Sequence, residues 1–506
     1  KIFTMKKLFF SAAALMCGTM MFAQSNNSEV ESVGNGNTST VTQTGTLNDS
    51  DVDQTGDDNI STVDQIGTSN TSEVRQEGFA LRNRNNSLVE QNGTDNNSFV
   101  WQDGDDNVST IDQDGTNNDS YVDQWGDFND NEVIQNGDDN ESDVFQGYNG
   151  DNHISSVDQQ GNDNDSYVRQ DGDSNISEVD QDGDLNISDV NQDGIANESD
   201  VAQGGDRNTS DVDQDGDNNY SNVYQGYAGN DNASVVDQDG NDNTSYVDQW
   251  GDFNDSYVKQ DGNNNFSNVA QGYPGDNNTS TVDQIGDDNN SDVFQDGGDN
   301  GSDVDQTGNM NDSDVDQNGF FNGSAVWQTG DSNISTTDQT GNANGSTQIQ
   351  TGNDNESYVA QTGDNNGSFV AQVGDMNDSF VDQTGDLNGS TVAQNGDSNM
   401  SDVDQMGNSN ISSVAQAGND NMSYVMQTGN GNTSTVAQTG DLHLSTVTQD
   451  GMMNISDVAQ DGFSHTSDVF QDGDMNNSIV SQTGTTHMSD VDQIGNNNTS
   501  TVTQMD

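Results

Sequence analysis

The stretch that decides the fold is NDSDVDQTGDDNISTVDQIG, residues 48–67. Asn, Ser, Val, Gln and Gly occupy every second position of its first half, and the same five residues return after eleven positions. Period-two alternation is typical of a β-strand with one buried face, and Gly-x-x is typical of a turn. The sequence therefore predicts an eleven-residue strand–turn unit, Asn-x-Ser-x-Val-x-Gln-x-Gly-x-x. The predicted inward-facing ladder comprises Asn48, Ser50, Val52, Gln54, Gly56, Asn59, Ser61, Val63, Gln65 and Gly67.

The unit repeats along almost the whole chain. Its glutamine column runs from Gln43 to Gln504 in 42 units, and the spacing is eleven throughout residues 284–504. Four earlier insertions fall in turns, which supports the assignment of strands and turns. They lie between Gln76 and Gln91, Gln146 and Gln159, Gln225 and Gln238, and Gln271 and Gln284.

The uniform face of the unit is mostly polar, and valine is its only regular apolar residue. Burying isolated amides would be costly. If each unit lies above an equivalent one, Asn stacks on Asn and Gln on Gln at about 4.8 Å, and the amides can bond into ladders. We therefore expect an all-β fold, a thin solenoid with serine and valine between two sheets.

Composition excludes several classes of protein. The 506 residues include 88 acidic and only nine basic residues, for a net charge of −79, and 27% are hydrophobic. A thick-cored enzyme needs more apolar residues, and a nucleic-acid binder needs a basic surface. No nucleophile–base pair, phosphate loop or dinucleotide motif stands out. We predict no enzymatic activity, no nucleic-acid partner and no required cofactor.

The N-terminal region has the features of a secretory signal. Lys6 and Lys7 precede an apolar stretch at residues 8–21, and a small residue, Ala23, offers a cleavage point. We predict that residues 1–23 are upstream residues plus a signal peptide, and that residues 24–506 form a single repeat domain without a membrane span. Cleavage would remove Cys17, the only cysteine, so no disulfide is expected.

The acidic turns have two interpretations. Charge can keep the chain soluble and delay premature association. Alternatively, turns such as Asp213-Gln214-Asp215-Gly216-Asp217 offer oxygen ligands for divalent cations such as calcium.

Histidines and aromatic residues also leave alternatives open. His443, His465 and His487 stand in the asparagine column at intervals of 22, so they could form a metal or pH-responsive ladder, or simply replace amides. Outward aromatic residues could support lateral bundling or carbohydrate contact, or reflect strand propensity. They include Tyr121, Tyr167, Tyr246, Tyr257, Trp101, Trp125, Trp250 and Trp327.

The repeat resembles the curlin repeat of bacterial curli subunits, Ser-x5-Gln-x-Gly-x-Gly-Asn-x-Ala-x3-Gln. Gln54, Gly56, Asn59 and Gln65 match it directly, and later units do the same. The chain departs from that pattern in two columns. Ser61 and its equivalents replace the curlin alanine, and the second glycine is usually Asp or Asn, as at Asp58.

The resemblance implies a β-solenoid of about 21 stacked 22-residue turns, with two short strands per turn. It also implies a homopolymer: secreted subunits that join end to end into amyloid fibres on the cell surface of a Gram-negative bacterium, for adhesion and biofilm matrix. Partners would be a curli-type outer-membrane export and nucleation machinery. Val502 and Gln504 belong to a complete strand, so we expect no polar cap there. The alternative is a monomeric acidic solenoid that binds calcium or a surface ligand.

Overall fold

A computed structural model describes residues 25–78, 83–147, 150–226, 229–272 and 275–506. The predicted signal peptide, residues 1–23, lies outside these residues. The chain divides into two compact units, Lys1–Asp215 and Gly216–Asp506, and each is described by itself. Within the described ranges every regular element is a β-strand, and no helix long and apolar enough to cross a membrane occurs there.

The strands of the first unit are six to nine residues long. Strand β17, Thr209–Asp217, contains the point at which the two units divide. The preceding strands are β1 (Asn27–Val33), β2 (Thr38–Thr46), β3 (Asp49–Thr55), β4 (Ile60–Thr68), β5 (Thr71–Glu77), β6 (Asn86–Thr94), β7 (Asn97–Asp103), β8 (Val108–Thr116), β9 (Asp119–Trp125), β10 (Asp130–Asp138), β11 (Glu141–Gln146), β12 (Ile154–Gln160), β13 (Asp165–Asp173), β14 (Ile176–Asp182), β15 (Ile187–Ile195) and β16 (Glu198–Gly204).

The second unit continues the numbering with strands of the same length. They are β18 (Tyr220–Gln225), β19 (Ala233–Asn241), β20 (Thr244–Gln249), β21 (Asp255–Asn263), β22 (Phe266–Gln271), β23 (Thr279–Ile285), β24 (Asn290–Asp296), β25 (Gly301–Thr307), β26 (Asp312–Asn318), β27 (Gly323–Thr329), β28 (Ile334–Thr340), β29 (Gly345–Thr351), β30 (Glu356–Thr362), β31 (Gly367–Val373), β32 (Asp378–Thr384), β33 (Gly389–Asn395), β34 (Met400–Met406), β35 (Ile411–Ala417), β36 (Met422–Asn430), β37 (Thr433–Asp441), β38 (Leu444–Met452), β39 (Ile455–Phe463), β40 (Thr466–Asp472), β41 (Asn477–Thr485), β42 (Met488–Ile494) and β43 (Thr499–Met505).

Odd-numbered strands pair with odd-numbered strands, and even with even, always in parallel. In the first unit β3 pairs with β5, so that Val52 lies beside Val74, and in the second β30 pairs with β32, so that Val359 lies beside Val381. Away from the insertions, each rung of a sheet is therefore 22 residues from the next, and two strands complete one turn. The prediction of a two-sheet β-solenoid with about 21 turns is confirmed.

The insertions leave strand register unchanged. Gln65 pairs with Gln91 although the two are 26 residues apart, and Gln135 pairs with Gln159 at a separation of 24. The extra chain is thus taken up between strands. Residues 79–82, 148–149, 227–228 and 273–274, which belong to the four insertions, lie outside the described residues.

The core of each unit is one column of inward residues on each sheet, nearly all of them valine. Val52 and Val63 are fully buried in the first unit, as are Val381 and Val392 in the second. Burying one valine contributes about 1.5 kcal/mol. Because so little apolar surface lies inside, the polar ladders beside the valines must satisfy their own hydrogen bonds.

Candidate functional site

The candidate site is the set of side-chain ladders that joins one rung to the next. In the first unit the predicted ladder residues lie on the inward face of strands β3 and β4 and in their turns. Asn48, Ser50, Val52, Gln54, Asn59, Ser61, Val63 and Gln65 are buried. Gly56, directly after β3, and Gly67, near the end of β4, are partly exposed.

The glutamine column bonds both along a sheet and across the solenoid. Nε2 of Gln383 donates to Oε1 of Gln405 in the next rung at 2.8 Å and to the carbonyl of Gly367 on the opposite sheet at 3.1 Å. The same pair of bonds recurs in the first unit, where Gln54 donates to Gln76 at 2.9 Å. Each glutamine thus donates toward the C-terminal rung, which makes the ladder directional.

The asparagine column works differently from a simple amide ladder. Oδ1 of Asn366 accepts the backbone N–H of Asn388 in the next rung at 3.0 Å. The side-chain Nδ2 of Asn388 then donates to the carbonyl of Gly407 at 2.8 Å. Each of these asparagines therefore bonds its turn to the turn of the next rung. In part of the second unit the predicted side-chain amide ladder forms as well, as where Nδ2 of Asn377 donates to Oδ1 of Asn355 at 3.0 Å.

A third ladder runs through the turns. Oδ1 of Asp375 accepts the backbone N–H of Asn353 at 2.9 Å, and Oδ1 of Asp397 accepts that of Asp375 at 3.1 Å. The next turn residue is left-handed, as at Met376 with φ 58° and Asp58 with φ 64°. Asp58 stands where the curlin pattern has its second glycine. This departure therefore falls at a conformation that favours glycine.

The glycine that begins each turn is required by close packing between rungs. A Cβ on Gly67, which has φ 129°, would collide with the carbonyl oxygen of Gly93 and lie 2.8 Å from its carbonyl carbon. Both the positive φ and the close approach of the next rung's backbone exclude residues other than glycine at this position. Four outward-facing glycines differ, because a Cβ there would meet nothing within 4 Å: Gly323, Gly345, Gly367 and Gly389.

Serine hydroxyls face the valine column of the opposite sheet. Nearly all of them are buried and have no hydrogen-bond partner among the described residues. Where polar residues replace valine, the hydroxyls find partners. Oγ of Ser324 lies 3.3 Å from Oγ1 of Thr337, and Oγ of Ser335 donates to Oε1 of Gln348 at 2.9 Å. Sequence reasoning overlooked this polar interruption, although Thr337 and Gln348 break the valine column visibly.

The three histidines predicted to stack do lie on consecutive turns of one side. Their rings are parallel, with centroids 5.0 Å apart for His443–His465 and 5.1 Å apart for His465–His487. Nδ1 of His443 accepts the backbone N–H of His465 at 3.1 Å, and Nε2 of His443 lies 3.0 Å from the carbonyl of Thr439. Nδ1 thus takes the place of the asparagine Oδ1, and Nε2 contacts the carbonyl four residues earlier, as Nδ2 of Asn432 does toward Thr428 at 3.2 Å. Burial lowers the pKa of His443, and the neighbouring His465 adds to the effect.

The acidic turn proposed for cations lies on strand β17. Asp213 and Asp215 are exposed and Asp217 is partly exposed. Oδ1 of Asp213 accepts a hydrogen bond from Asn191, and the backbone N–H of Asp217 donates to Asn241. In the described part of the chain no three His, Cys, Asp or Glu side chains converge as a metal site would require. Cation binding stays a prediction.

Outward carboxylates crowd one another along the rungs. Burial, aided by the charges of Glu141, Asp119 and Asp165, raises the pKa of Asp143 to about 6. Burial and neighbouring carboxylates likewise raise the pKa of Asp314 and Asp402. Stacking therefore brings like charges together. The repulsion between them falls when the carboxylates are protonated.

Aromatic residues stack between neighbouring rungs on the outer faces. Rings of Phe99 and Tyr121 are parallel with centroids 4.9 Å apart, and Tyr358 and Phe380 repeat the arrangement in the second unit. Trp327, with 42% of its surface exposed, points outward as predicted. These stacks follow from rung spacing, which matches the distance of favourable ring contact.

Comparison with known proteins identifies the repeat. The family model described as curlin associated repeat matches seven segments, in both units. No curated protein matches the chain. The matched segments are residues 48–78, 275–308, 358–385, 380–405, 396–429, 424–451 and 456–484. The chain therefore carries curlin associated repeats in these segments.

Proposed function

We propose that the chain is the subunit of an extracellular curli-type fibre, and that its molecules join end to end by continuing the ladders. The observation that carries the proposal is the sameness of successive rungs. Gln383 donates to Gln405 at 2.8 Å, and Gln405 donates to Gln427 at the same distance. A rung supplied by another molecule would meet the same donors and acceptors.

The geometry of rung addition favours open growth. Each step is a translation along the stack in register, as in the pairing of Ser357 with Ser379 and of Val359 with Val381. A repeated translation does not close on itself, so such contacts build filaments rather than rings. Unpaired strand edges supply the backbone hydrogen bonds that drive the step.

The role is structural rather than catalytic, and it requires no cofactor. The buried glutamine and asparagine side chains are used in rung-to-rung bonds. The family repeat supports secretion to the cell surface and a role in adhesion and biofilm matrix, with an export and nucleation machinery as partner. On this proposal the acidic outer surface restrains association until export is complete.

The test is seeded growth of the full chain after removal of residues 1–23, followed by negative-stain imaging and fibre diffraction. Parallel samples contain millimolar calcium or a chelator. We expect unbranched fibres that elongate from seeds and show a meridional spacing near 4.8 Å with or without calcium. Protein that stays monomeric in both samples, with or without seeds, would contradict the proposal.

The calcium samples also separate the alternative function, a monomeric acidic solenoid that binds cations. That function predicts saturable calcium uptake by monomers and no seeded growth. Growth that depends on calcium would instead indicate that calcium bridges the outward carboxylates of neighbouring rungs within the fibre.

A further inference from the structure

Part of the outer surface of the odd-numbered sheet in the second unit carries no charged side chain. It is formed by the outward positions of strands β27, β29, β31, β33, β35 and β37, from the first strand residue to the one before the turn glycine. We call it the uncharged face. Its 24 positions hold glycine, alanine, serine, threonine, asparagine and apolar residues, including Trp327, Phe369 and Ile411.

The absence of charge is confined to this face. The rungs on either side carry outward aspartates, Asp303 on β25 and Asp457 on β39. The even-numbered sheet, which lies behind the same rungs, carries Asp338, Asp382 and Asp404. In a chain with 88 acidic residues, a charge-free area six rungs long sets this surface apart from its surroundings.

The uncharged face has a groove, with projecting side chains beside it. A groove of about 900 Å³ follows the column of outward glycines, with Thr347 and Phe369 in its wall, and extends past the face to Asp303 at one end. A Cβ on Gly345 or Gly367 would meet no atom within 4 Å, so the groove is open. Beside it, Val373 and Trp327 stand out with 47% and 42% of their surface exposed. A groove and a ridge thus lie on one surface.

We propose that the uncharged face docks against the same face of a second copy of this chain, so that two solenoids lie side by side with their sheets packed face to face. Like charge opposes side-by-side contact through the aspartate-bearing surfaces, because the chain has 88 acidic and only nine basic residues, whereas this face carries no charged side chain. A two-fold axis along the stack would place the glycine column of one copy against the column of the other that contains Val373. Lateral pairing neither needs nor implies end-to-end growth.

The area of the face is sufficient for a specific pair. Six rungs at about 4.8 Å and seven residues at about 3.3 Å cover roughly 650 Å² on each copy. The pair would bury roughly 1,300 Å², within the range of specific interfaces. Because the contact is isologous, it closes at two copies and does not build sheets of unlimited width.

Two double variants of the full chain test the proposal. Thr347→Asp with Ala371→Asp places two charges on the uncharged face. Thr336→Asp with Ala360→Asp places two charges on the opposite sheet, at the same strand positions and in the same class of partial exposure. The readouts are sedimentation velocity of soluble protein and mass per length of any filaments.

We expect soluble wild-type protein and the opposite-sheet variant to form dimers, and the face variant to dissociate at least about tenfold more readily. Filaments should show twofold mass per length except in the face variant. Wild-type protein that is monomeric and grows single filaments would overturn the proposal, as would equal weakening by both variants. Retention of single copies on cellulose beads through this face would assign it to a polysaccharide and also overturn pairing. Sedimentation velocity measures pairing of the soluble protein even if no fibre forms.

Discussion

Two kinds of glycine occupy the repeat, and they differ in what surrounds them. Gly385 has φ 114°, and a Cβ there would lie 2.8 Å from Oδ1 of Asn408 and from the carbonyl carbon of Gly407. Gly389 lies four residues later at the start of β33, where a Cβ would meet nothing within 4 Å. The same residue type therefore serves close backbone approach at one position and leaves an open groove at the other.

Alanine substitutions should separate the two glycines. Gly385→Ala adds strain at a positive φ and a collision with the next rung, so we expect a loss of about 3 kcal/mol or more in unfolding free energy. Gly389→Ala removes backbone entropy from the unfolded chain and should be neutral or stabilise by about 0.5 kcal/mol. Urea unfolding measures both. Similar losses for the two variants would show that rung approach is not the reason for the glycine column.

Period-two alternation predicted the strands, their inward faces and the curlin resemblance, because a residue's face follows directly from its parity. The hydrogen-bond partners of the ladder side chains and the backbone conformation of the turns could not be predicted in the same way. Nothing in the pattern shows that Asn366 accepts a backbone N–H rather than a side-chain amide. Likewise, the left-handed conformation of Leu387, with φ 60°, is not evident from a leucine. The uncharged face could have been predicted by comparing the outward residues of successive odd-numbered strands. The sequence analysis concentrated on the inward residues instead.

At the scale of the strand, His443 acts as a substitute for asparagine only while it is neutral. Its Nδ1 accepts the backbone N–H of His465 at 3.1 Å, and a proton there would replace an acceptor by a donor. The pKa of His443 is lowered by burial. A histidine with a lowered folded-state pKa contributes stability that is present above pH about 6.5 and is lost as pH falls through the folded-state value.

We therefore expect strands β38 and β40 to open more easily in acid than in neutral solution. The triple variant His443→Asn, His465→Asn and His487→Asn restores amides that make the same bonds, and should remove this local change. Hydrogen-exchange protection factors of these strands at pH 5 and pH 7.5 measure it. His153→Asn in the first unit is the control and should leave these strands unaltered; equal acid sensitivity in the wild type and the triple variant would refute the argument.

At the scale of the whole molecule, carboxylates respond to pH in the opposite direction. Asp143 on β11 has a pKa raised to about 6, first by burial and then by the charges of Glu141, Asp119 and Asp165. A carboxyl group with a raised folded-state pKa contributes stability that is fully present below its unfolded value, near 3.8. That contribution is lost as pH rises toward 6 and above. Mild acid thus relieves repulsion along the acidic rows.

Asp143→Asn should accordingly stabilise the protein at pH 7.5 and leave it unchanged at pH 4, where the wild-type side chain is already protonated. Because the side chain is partly exposed, solvent screening limits the expected gain to about 1 kcal/mol, or about one degree in Tm for a chain of this length. Thermal unfolding at the two pH values measures the difference. The amide keeps the shape of the carboxylic acid, so a variant that gains stability equally at both pH values would indicate packing rather than charge. If the gain is confined to pH 7.5, the acidic surface opposes the stacked state whenever its carboxylates are ionised, as a restraint on premature assembly requires.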